Sequence, residues 1–515
     1  MLIKVKSTYF FGIEAFAVDV EVNILDRSMP GFDIVGLAGR EVEESRERVK
    51  AAISNTFKEF PYHKKIMVNL APADVPKEGS YYDLPIAAAL ISSMRDVQFP
   101  ADSAFFGELS LDGSTRKIKG AYLFASFAKE HCLNNIFIPA DCYEEVKNIK
   151  GINLYPIKTL KDLLDYETAQ KVFFAGSAAA SRKEADGKAE KCLVESIDFS
   201  DVVGQDSAKR ALEISACGGH NLLMMGSPGS GKTMLAKALC AILPKLSPEE
   251  TSEVAKVYSA CGLFEGQIFT DQFRPFRHPH HTVSYSGMVG GGSIPRPGEI
   301  SLAHKGVLFL DELSEFQSPI IECLRQPMED GHITIVRSRG SVKLPCDFTL
   351  VACTNPCPCG FFGDKKGGCV CKPWQVERYQ KKLSGPILDR VDLLTYVWSP
   401  SRDGGATAGD FLKSQKRASP IIKERVEAVR AIQRKRFAGL PIELNSRMTN
   451  SQVKQFCALS SEGQDLLGSA IEQFRLSPRS VYKVLKVART IADMEASEHL
   501  APIFLAEAVQ YKVMT

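Results

Sequence analysis

One glycine-rich segment constrains the fold of this 515-residue chain more than any other feature. It lies between a short apolar strand, residues 221–225, and a helical pattern that begins at Met234. Its glycines allow successive backbone N–H groups to point at a phosphate, and the helix N-terminus adds partial positive charge. Because strand, loop and helix follow in the order that a phosphate-binding loop requires, we predict an ATP site formed by Gly226, Ser227, Pro228, Gly229, Ser230, Gly231, Lys232 and Thr233.

Two further apolar strands run into polar side chains that suit the same site. Residues 306–310 lead to Asp311 and Glu312, and residues 349–352 lead to Asn355. Ligands bind at the carboxyl edge of a parallel sheet, so we expect these side chains near the loop, although asparagine after a strand is by itself typical of a turn. The predicted roles are phosphate contact for Lys232, Mg²⁺ binding for Thr233 and Asp311, polarisation of the attacking water for Glu312 and its orientation for Asn355.

Composition and pattern divide the chain into domains. A net charge of +3 gives no bulk signature of nucleic-acid or membrane binding, and no apolar run approaches the ~20 residues that span a bilayer, so we expect a cytoplasmic protein. Residues 1–170 show a mixed α/β pattern. Residues 171–194 are rich in small and charged residues and predict a flexible linker. Strands alternate with helices over 195–400, and amphipathic helices over 410–515 predict a helical lid.

Four cysteines form two close pairs in a glycine-rich insertion, residues 357–371. Four thiolates can bind one tetrahedral Zn²⁺, although the one-residue gap within each pair is tighter than the common two-residue spacing. We predict a structural zinc site, with an iron–sulfur cluster, a redox pair or unligated thiols as alternatives, and the same loop could touch DNA. The four candidate ligands are Cys357, Cys359, Cys369 and Cys371.

A histidine-rich stretch, residues 277–281, opens a loop that continues to the glycines at 290–292. The interval between the glycine-rich segment and Asp311 is longer than a simple crossover needs. It predicts an inserted loop or hairpin that faces the centre of a ring. A metal site made by the histidines is the alternative, although no carboxylate lies nearby in the sequence.

With these motifs in order, the chain resembles the magnesium-chelatase-like AAA+ proteins of the ComM (YifB) family over essentially its whole length. Several long segments carry this resemblance. They are residues 30–37, 68–74, 297–304 and 355–360. The resemblance implies an α/β fold in which an AAA+ P-loop parallel-sheet core carries a C-terminal helical lid and follows an α+β Lon-protease-like domain. It also implies a homo-hexameric ATPase and DNA helicase that drives branch migration on single-stranded or branched DNA during natural transformation.

Competing functions remain at this point. The motor subunit of a magnesium chelatase or a protein-remodelling ATPase would use the same ATP site, but the chain has no D-x-S-x-S metal-adhesion motif. An ATP-dependent peptidase is the third candidate. The Lon-like resemblance places Tyr81 at the position of the nucleophilic serine, with Ser80 one residue early, and Tyr122 at the position of the lysine. A serine without a base is a poor nucleophile, so we expect no peptidase chemistry.

Two arginines are candidates for contacts with the γ-phosphate. Arg390 lies where related motors expose an arginine finger to the neighbouring subunit. In other nucleotide hydrolases this contact accelerates hydrolysis by a factor of about 10³ to 10⁵. Arg479 lies in the first turn of the strongest C-terminal helical pattern and could reach the phosphates from the lid side. The alternative for either residue is a surface salt bridge. A finger that acts between subunits requires a ring or another oligomer.

Overall fold

The computed structural model describes residues 2–26, 29–184, 197–264, 272–292, 295–337, 340–363, 368–382, 385–397 and 418–512. The chain forms two compact units. The first comprises Met1–Glu190, Thr251–Thr270 and Ser293–Pro297, and the second comprises Lys191–Glu250, Asp271–Gly292 and Gly298–Thr515. Within the described residues, every helix is too short or too polar to cross a bilayer.

The first unit is built on a seven-stranded mixed sheet in the order β3-β4-β2-β1-β5-β8-β9. Strands β1 and β2 form an antiparallel hairpin, and β8 and β9 run parallel. Every second residue in the middle of β2 is a buried valine, Val18, Val20 and Val22. This two-residue period is typical of a strand that packs one face on a hydrophobic core. The strands are β1 Leu2–Phe11, β2 Glu14–Leu25, β3 Gly31–Val35, β4 Lys65–Ala71, β5 Ser103–Phe105, β6 Glu108–Leu109, β7 Thr115–Arg116, β8 Asn135–Pro139 and β9 Asn153–Ile157.

Helices complete this α+β unit. Asp83–Arg95 is the central one, and its residues from Asp83 to Ile91 are all buried because it lies in the hydrophobic core beneath the sheet. The α-helices of the unit are Arg40–Phe57, Asp83–Arg95, Ala121–Glu130, Tyr143–Val146 and Tyr166–Glu184, and the helix Pro248–Cys261 enters it from Thr251 onward.

The structure differs from the predicted linker over 171–194. The helix Tyr166–Glu184 continues through its first part, and the remaining residues, 185–194, lie outside the described residues. The stretch is rich in alanine, which has the highest helix propensity, and the start of the helix is fixed by packing of Tyr166 on Phe137 and Tyr155. The low apolar content of this stretch indicates that it forms no hydrophobic core of its own, but it does not exclude a helix.

The second unit contains a five-stranded parallel sheet in the order β11-β14-β17-β10-β18. Strands β10, β14 and β17 are almost entirely buried, as expected for a parallel sheet covered on both faces. The remaining strands of the chain are β10 Leu222–Gly226, β11 Phe276–Arg277, β12 Gly290–Gly291, β13 Arg296–Pro297 of the first unit, β14 Val307–Leu310, β15 His332–Arg337, β16 Gly340–Pro345, β17 Thr349–Thr354 and β18 Leu393–Val397.

The C-terminal helices share one hydrophobic core with this sheet. Val426 and Ile491 of the helices belong to the same buried cluster as Leu222 and Val351 of the strands. The predicted lid is therefore helical but packs as part of the second unit. The helices of this unit are Asp206–Gly218, Lys232–Ile242, Tyr285–Val289, Glu299–Leu302, Ser318–Cys323, Arg325–Asp330, Pro373–Lys382, Gly385–Leu388, Ser419–Arg436, Asn450–Phe456, Ser461–Phe474, Pro478–Met494 and Pro502–Gln510.

Candidate nucleotide-binding site

The strand order brings the three sequence motifs to one edge of the sheet. Strand β17 pairs in parallel with both β10 and β14, so the residues that follow these strands meet. The Thr233 hydroxyl donates to Asp311 Oδ2 at 2.7 Å, and Lys232 Nζ lies 3.3 Å from Asn355 Oδ1. The structure thus places the glycine-rich loop, the acidic pair and Asn355 in one site.

The loop has the shape of a cradle for a polar ligand. Gly229 and Gly231 have φ of +73° and +91°, and a Cβ on either would meet no atom within 4 Å, which leaves open space above the loop. The hydroxyls of Ser227 and Ser230 are buried and have no hydrogen-bond partner among the described residues. A buried polar group without a partner is costly, so the loop fits a ligand that brings acceptor oxygens, such as a triphosphate.

Lys232 lies inside this cradle. Its ammonium donates to the carbonyl oxygens of Gly226 and Ser227, each at 2.9 Å. Burial lowers the pKa of Lys232, and the nearby acidic groups Asp311 and Glu312 oppose that shift. A phosphate would supply the counter-charge that the carbonyl groups do not, because charge-assisted contacts are about twice as strong as neutral ones.

The acidic pair is held in a sharp turn. Asp311 Oδ1 accepts the Glu312 backbone N–H at 3.0 Å, and Glu312 has a left-handed φ of +52°. The Glu312 side chain is 57% exposed, so it can reach a water molecule while Asp311 faces Thr233. Thr233 and Asp311 provide the hard oxygen ligands that Mg²⁺ prefers.

His281 lies at this site, although its sequence context predicts no catalytic role for it. Its Nδ1 is 3.8 Å from Glu312 Oε2. The strand pairing explains its position: β11 pairs with β14, with Arg277 opposite Leu308, so the residues after β11 emerge beside the acidic pair. The only group of three or more potential metal ligands in the described part of the chain is the four-cysteine cluster, which gives the histidine metal site no support.

The two arginines do not join the loop. Arg390 Nη2 lies 2.6 Å from Glu329 Oε1, and Arg479 pairs with the same carboxylate. Lys483 Nζ donates to the Arg390 carbonyl oxygen at 2.6 Å, and Asp392 accepts the Asn221 backbone N–H at 2.9 Å. Because these residues lie at the start of β10 and β18, both arginines occupy the sheet edge opposite Gly226.

A cationic cavity of about 530 Å³ opens at that opposite edge. Five basic side chains line it against two acidic ones, so its net charge is positive. Arg479 therefore lies away from the glycine-rich loop of its own chain, and its contact with the phosphates from the lid side stays a prediction. The basic residues are Arg390, Arg447, Arg479, Lys483 and Lys486, and the acidic ones are Glu329 and Asp392.

The four cysteines converge as the spacing predicts. Their sulfur atoms all lie within 4.8 Å of one another, and Cys357 Sγ is 3.3 Å from Cys359 Sγ and 3.7 Å from Cys369 Sγ. A tetrahedral site with Zn–S bonds of about 2.3 Å requires sulfur separations of about 3.8 Å. The cluster, which also includes Cys371, fits zinc.

The peptidase positions of the first unit form no catalytic pair in the described structure. The Ser80 hydroxyl donates to the Glu108 carboxylate, and the Tyr122 hydroxyl lies 3.1 Å from that of Ser252. The Tyr81 ring packs on Phe106 at 4.8 Å between ring centres, and burial raises the pKa of its hydroxyl. These contacts support a structural role for the three residues.

The fold and the loop define a P-loop protein of the AAA+ magnesium-chelatase class. The family model described as magnesium chelatase, subunit ChlI, matches residues 198–403. The model for subunit ChlI of Mg-chelatase matches 20–142, and that for the ChlI C-terminal region matches 416–512. The predicted α/β fold with an AAA+ core is confirmed.

The chain belongs to the YifB/ComM family of magnesium-chelatase-like proteins. It is 40% identical over 507 residues to YifB of Escherichia coli strain K12, covering 98% of this chain and 95% of that protein. It is 37% identical over 514 residues to competence protein ComM of Haemophilus influenzae, covering 99% and 97%. A shorter similarity, 28% over 187 residues, links 31% of the chain to 33% of Lon protease 2 of Bacillus subtilis.

Proposed function

We propose that this protein is an ATP-hydrolysing motor that acts on single-stranded or branched DNA as a ring of identical subunits, with six as the expected number. The convergence of Lys232, Thr233, Asp311 and Asn355 at one sheet edge carries the ATPase part of the proposal. The proposed place of action is the cytoplasm, where ATP and DNA are both available.

Each side chain has a role that follows from its position. Lys232 and the loop amides would bind the β- and γ-phosphates, and the Thr233 hydroxyl and the Asp311 carboxylate would hold Mg²⁺. When bound, Mg²⁺ supplies neutralisation of the phosphate charge. Glu312 polarises the attacking water, and Asn355, fixed by its contact with Lys232, orients that water.

The cationic cavity fits the triphosphate bound to a neighbouring copy of the chain. Arg390 and Arg479 both pair with the Glu329 carboxylate, and we propose that the γ-phosphate of a neighbouring subunit replaces this carboxylate when two subunits meet. Arginine pairs with carboxylate and phosphate through the same planar geometry, so exchange of one anion for the other needs little rearrangement. We therefore propose that both arginines act between subunits.

The hairpin β15–β16 is the feature that favours DNA as the substrate. Ile333, Ile335, Val342 and Leu344 are buried, whereas Lys343 and Arg337 are exposed on the other face and at the tip. Residues 332–345 contain three Lys or Arg and no Asp or Glu. An exposed positive hairpin suits the phosphate backbone, and the relative ComM bears the name competence protein.

A lysine substitution on this hairpin tests the DNA proposal. Lys343→Ala should weaken binding of a single-stranded oligonucleotide and reduce the slope of log K against log salt by about 0.7, the value for one phosphate contact on a single strand. Lys381→Ala is the matched control, because it removes an exposed cation outside the hairpin, one that pairs with Glu377 of its own helix, Pro373–Lys382. Basal ATP hydrolysis should stay unchanged in both variants.

A chelatase-type or protein-remodelling motor is the alternative, favoured by the three ChlI models that match the chain. ATP hydrolysis measured with and without single-stranded and forked DNA discriminates. Stimulation supports the DNA motor, and indifference to every nucleic acid supports the alternative.

We also propose that the cysteine cluster holds one structural Zn²⁺. The sulfur separations carry this assignment. Four thiolates without a central cation would repel one another, whereas zinc accepts them as a closed tetrahedral site.

A further inference from the structure

The cysteine cluster touches the glycine-rich loop at Gly360. This residue lies between the two cysteine pairs, and its N–H donates to the Cys357 carbonyl oxygen at 2.9 Å. A Cβ built on Gly360 would lie 2.4 Å from Pro228 Cδ and 2.8 Å from Pro228 Cγ, and φ is +82°. The backbone of the cysteine loop therefore packs directly on Pro228 of the nucleotide loop.

A second connection runs through the chain itself. Asn355, which contacts Lys232, precedes Cys357 by only two residues. The carbonyl group of Pro356 between them accepts a hydrogen bond from Gln380 Nε2 at 3.3 Å. Movement of the first cysteine pair would therefore displace Asn355 as well as the surface that supports Pro228.

We propose that the metal-bound cysteine cluster is a positioning element for ATP, which holds Pro228 and Asn355 in their binding geometry, so that metal occupancy sets nucleotide affinity. The physical reason is that a structural zinc contributes its binding free energy to the fold of its ligand loop. Loss of the metal releases that loop and removes the packing partner of Pro228. This inference rests on the proposed nucleotide site.

Two glycine substitutions in the same loop test the packing contact. Gly360→Ala would place an atom 2.4 Å from a proline ring, and carbon atoms normally stay about 3.5 to 4.0 Å apart, so Pro228 and the cysteine loop must separate by about 1 Å. Gly368→Ala is the control for an added methyl group in this loop, because a Cβ there meets no atom within 4 Å. All four cysteines remain in both variants.

The assay is equilibrium binding of a fluorescent ATP analogue, with zinc content measured on the same samples. Gly360→Ala should bind the analogue at least about tenfold more weakly than the parent, since a displacement of about 1 Å can cost about 100-fold where groups must be positioned precisely. Gly368→Ala should match the parent. Parent-like affinity in Gly360→Ala overturns the inference, whatever its metal content.

Metal removal tests the same inference independently. Parent protein stripped with a zinc chelator should lose analogue affinity and recover it when Zn²⁺ is returned. A stripped protein that keeps its circular dichroism and binds the analogue like the parent overturns the inference. Failure of the untreated parent to bind any ATP analogue would instead refute the proposed function, so the two failures can be told apart.

Discussion

The position of Arg390 leads to a prediction about mixed assemblies. Strand β10 spans Leu222–Gly226, about 13 Å at 3.3 Å per residue, and Arg390 lies at its first end while the glycine-rich loop lies at the other. That separation is several times a hydrogen-bond distance. The guanidinium is also tied to Glu329 on the far edge, so it cannot serve its own loop.

Two inactive variants should therefore restore each other. Lys232→Ala lacks the phosphate contact and Arg390→Ala lacks the finger, whose loss costs about 10³ to 10⁵ in rate. In a ring assembled at random from equal amounts of both variants, an interface can hydrolyse ATP only when two intact parts meet. The glycine-rich loop must come from an Arg390→Ala subunit, and the arginine must come from a Lys232→Ala subunit. This occurs at about one quarter of interfaces, so ATP hydrolysis should reach about one quarter of the parent rate.

The measurement is steady-state ATP hydrolysis after the two variants are diluted, mixed and concentrated together to allow subunit exchange. A chain that carries both substitutions is the control, since it should rescue neither single variant. If the equimolar mixture stays at the background of the separate variants while the parent is active, the proposal that Arg390 acts between subunits is refuted. Arg479→Ala mixed with Lys232→Ala should behave like the Arg390 pair.

Three further outcomes are expected. Glu312→Gln should retain ATP-analogue binding while turnover falls by about 10² to 10⁴, measured as phosphate release; normal turnover would remove its assigned role. Joint replacement of Cys357 and Cys371 by Ser should release one Zn²⁺ per chain in a metal assay, and a parent protein without metal contradicts the site. Asp392→Asn should lower the free energy of unfolding by about 3 to 5 kcal/mol at neutral pH, because it leaves the Lys483 ammonium largely buried without its anionic partner. Burial alone would raise the pKa of Asp392, but Lys483 and His220 hold it well below its ordinary value. In denaturant titrations this stabilisation should be complete above pH ~4, near the ordinary pKa of an unfolded Asp, and should shrink steadily as the pH falls further toward the much lower pKa of the folded state. A stability difference that does not shrink between about pH 4 and pH 2 would refute it.

The ATP loop could be predicted from sequence because every part of its chemistry is local. Glycines, the lysine and the following helix are adjacent in the chain, and the backbone amides that would bind phosphate belong to the same eight residues. The acidic pair and Asn355 needed one more step, the rule that parallel strands present their ends at a common edge. The strand order with β17 between β10 and β14 agrees with that expectation.

The helix over residues 171–184 and the position of His281 are two features that local sequence patterns did not predict. Residues 171–184 contain few large apolar side chains, yet an anchored first turn and a high alanine content let the helix continue. His281 enters the site because β11 is paired with β14, a contact between segments about 30 residues apart that no short motif records.

The sequence by itself determined which groups can bind phosphate, magnesium and zinc, because these properties depend on side-chain chemistry and short spacings. Only the tertiary structure decided which groups share a site. Arg390 and Arg479 are nearly 90 residues apart, and their joint hold on Glu329 depends on how the C-terminal helices pack against the start of β10 and β18. The contact of Gly360 with Pro228 likewise exists only because two loops that are distant in the chain meet at one edge of a sheet. Burial and strand pairing set the positions of these loops, and neighbouring residues in the sequence do not.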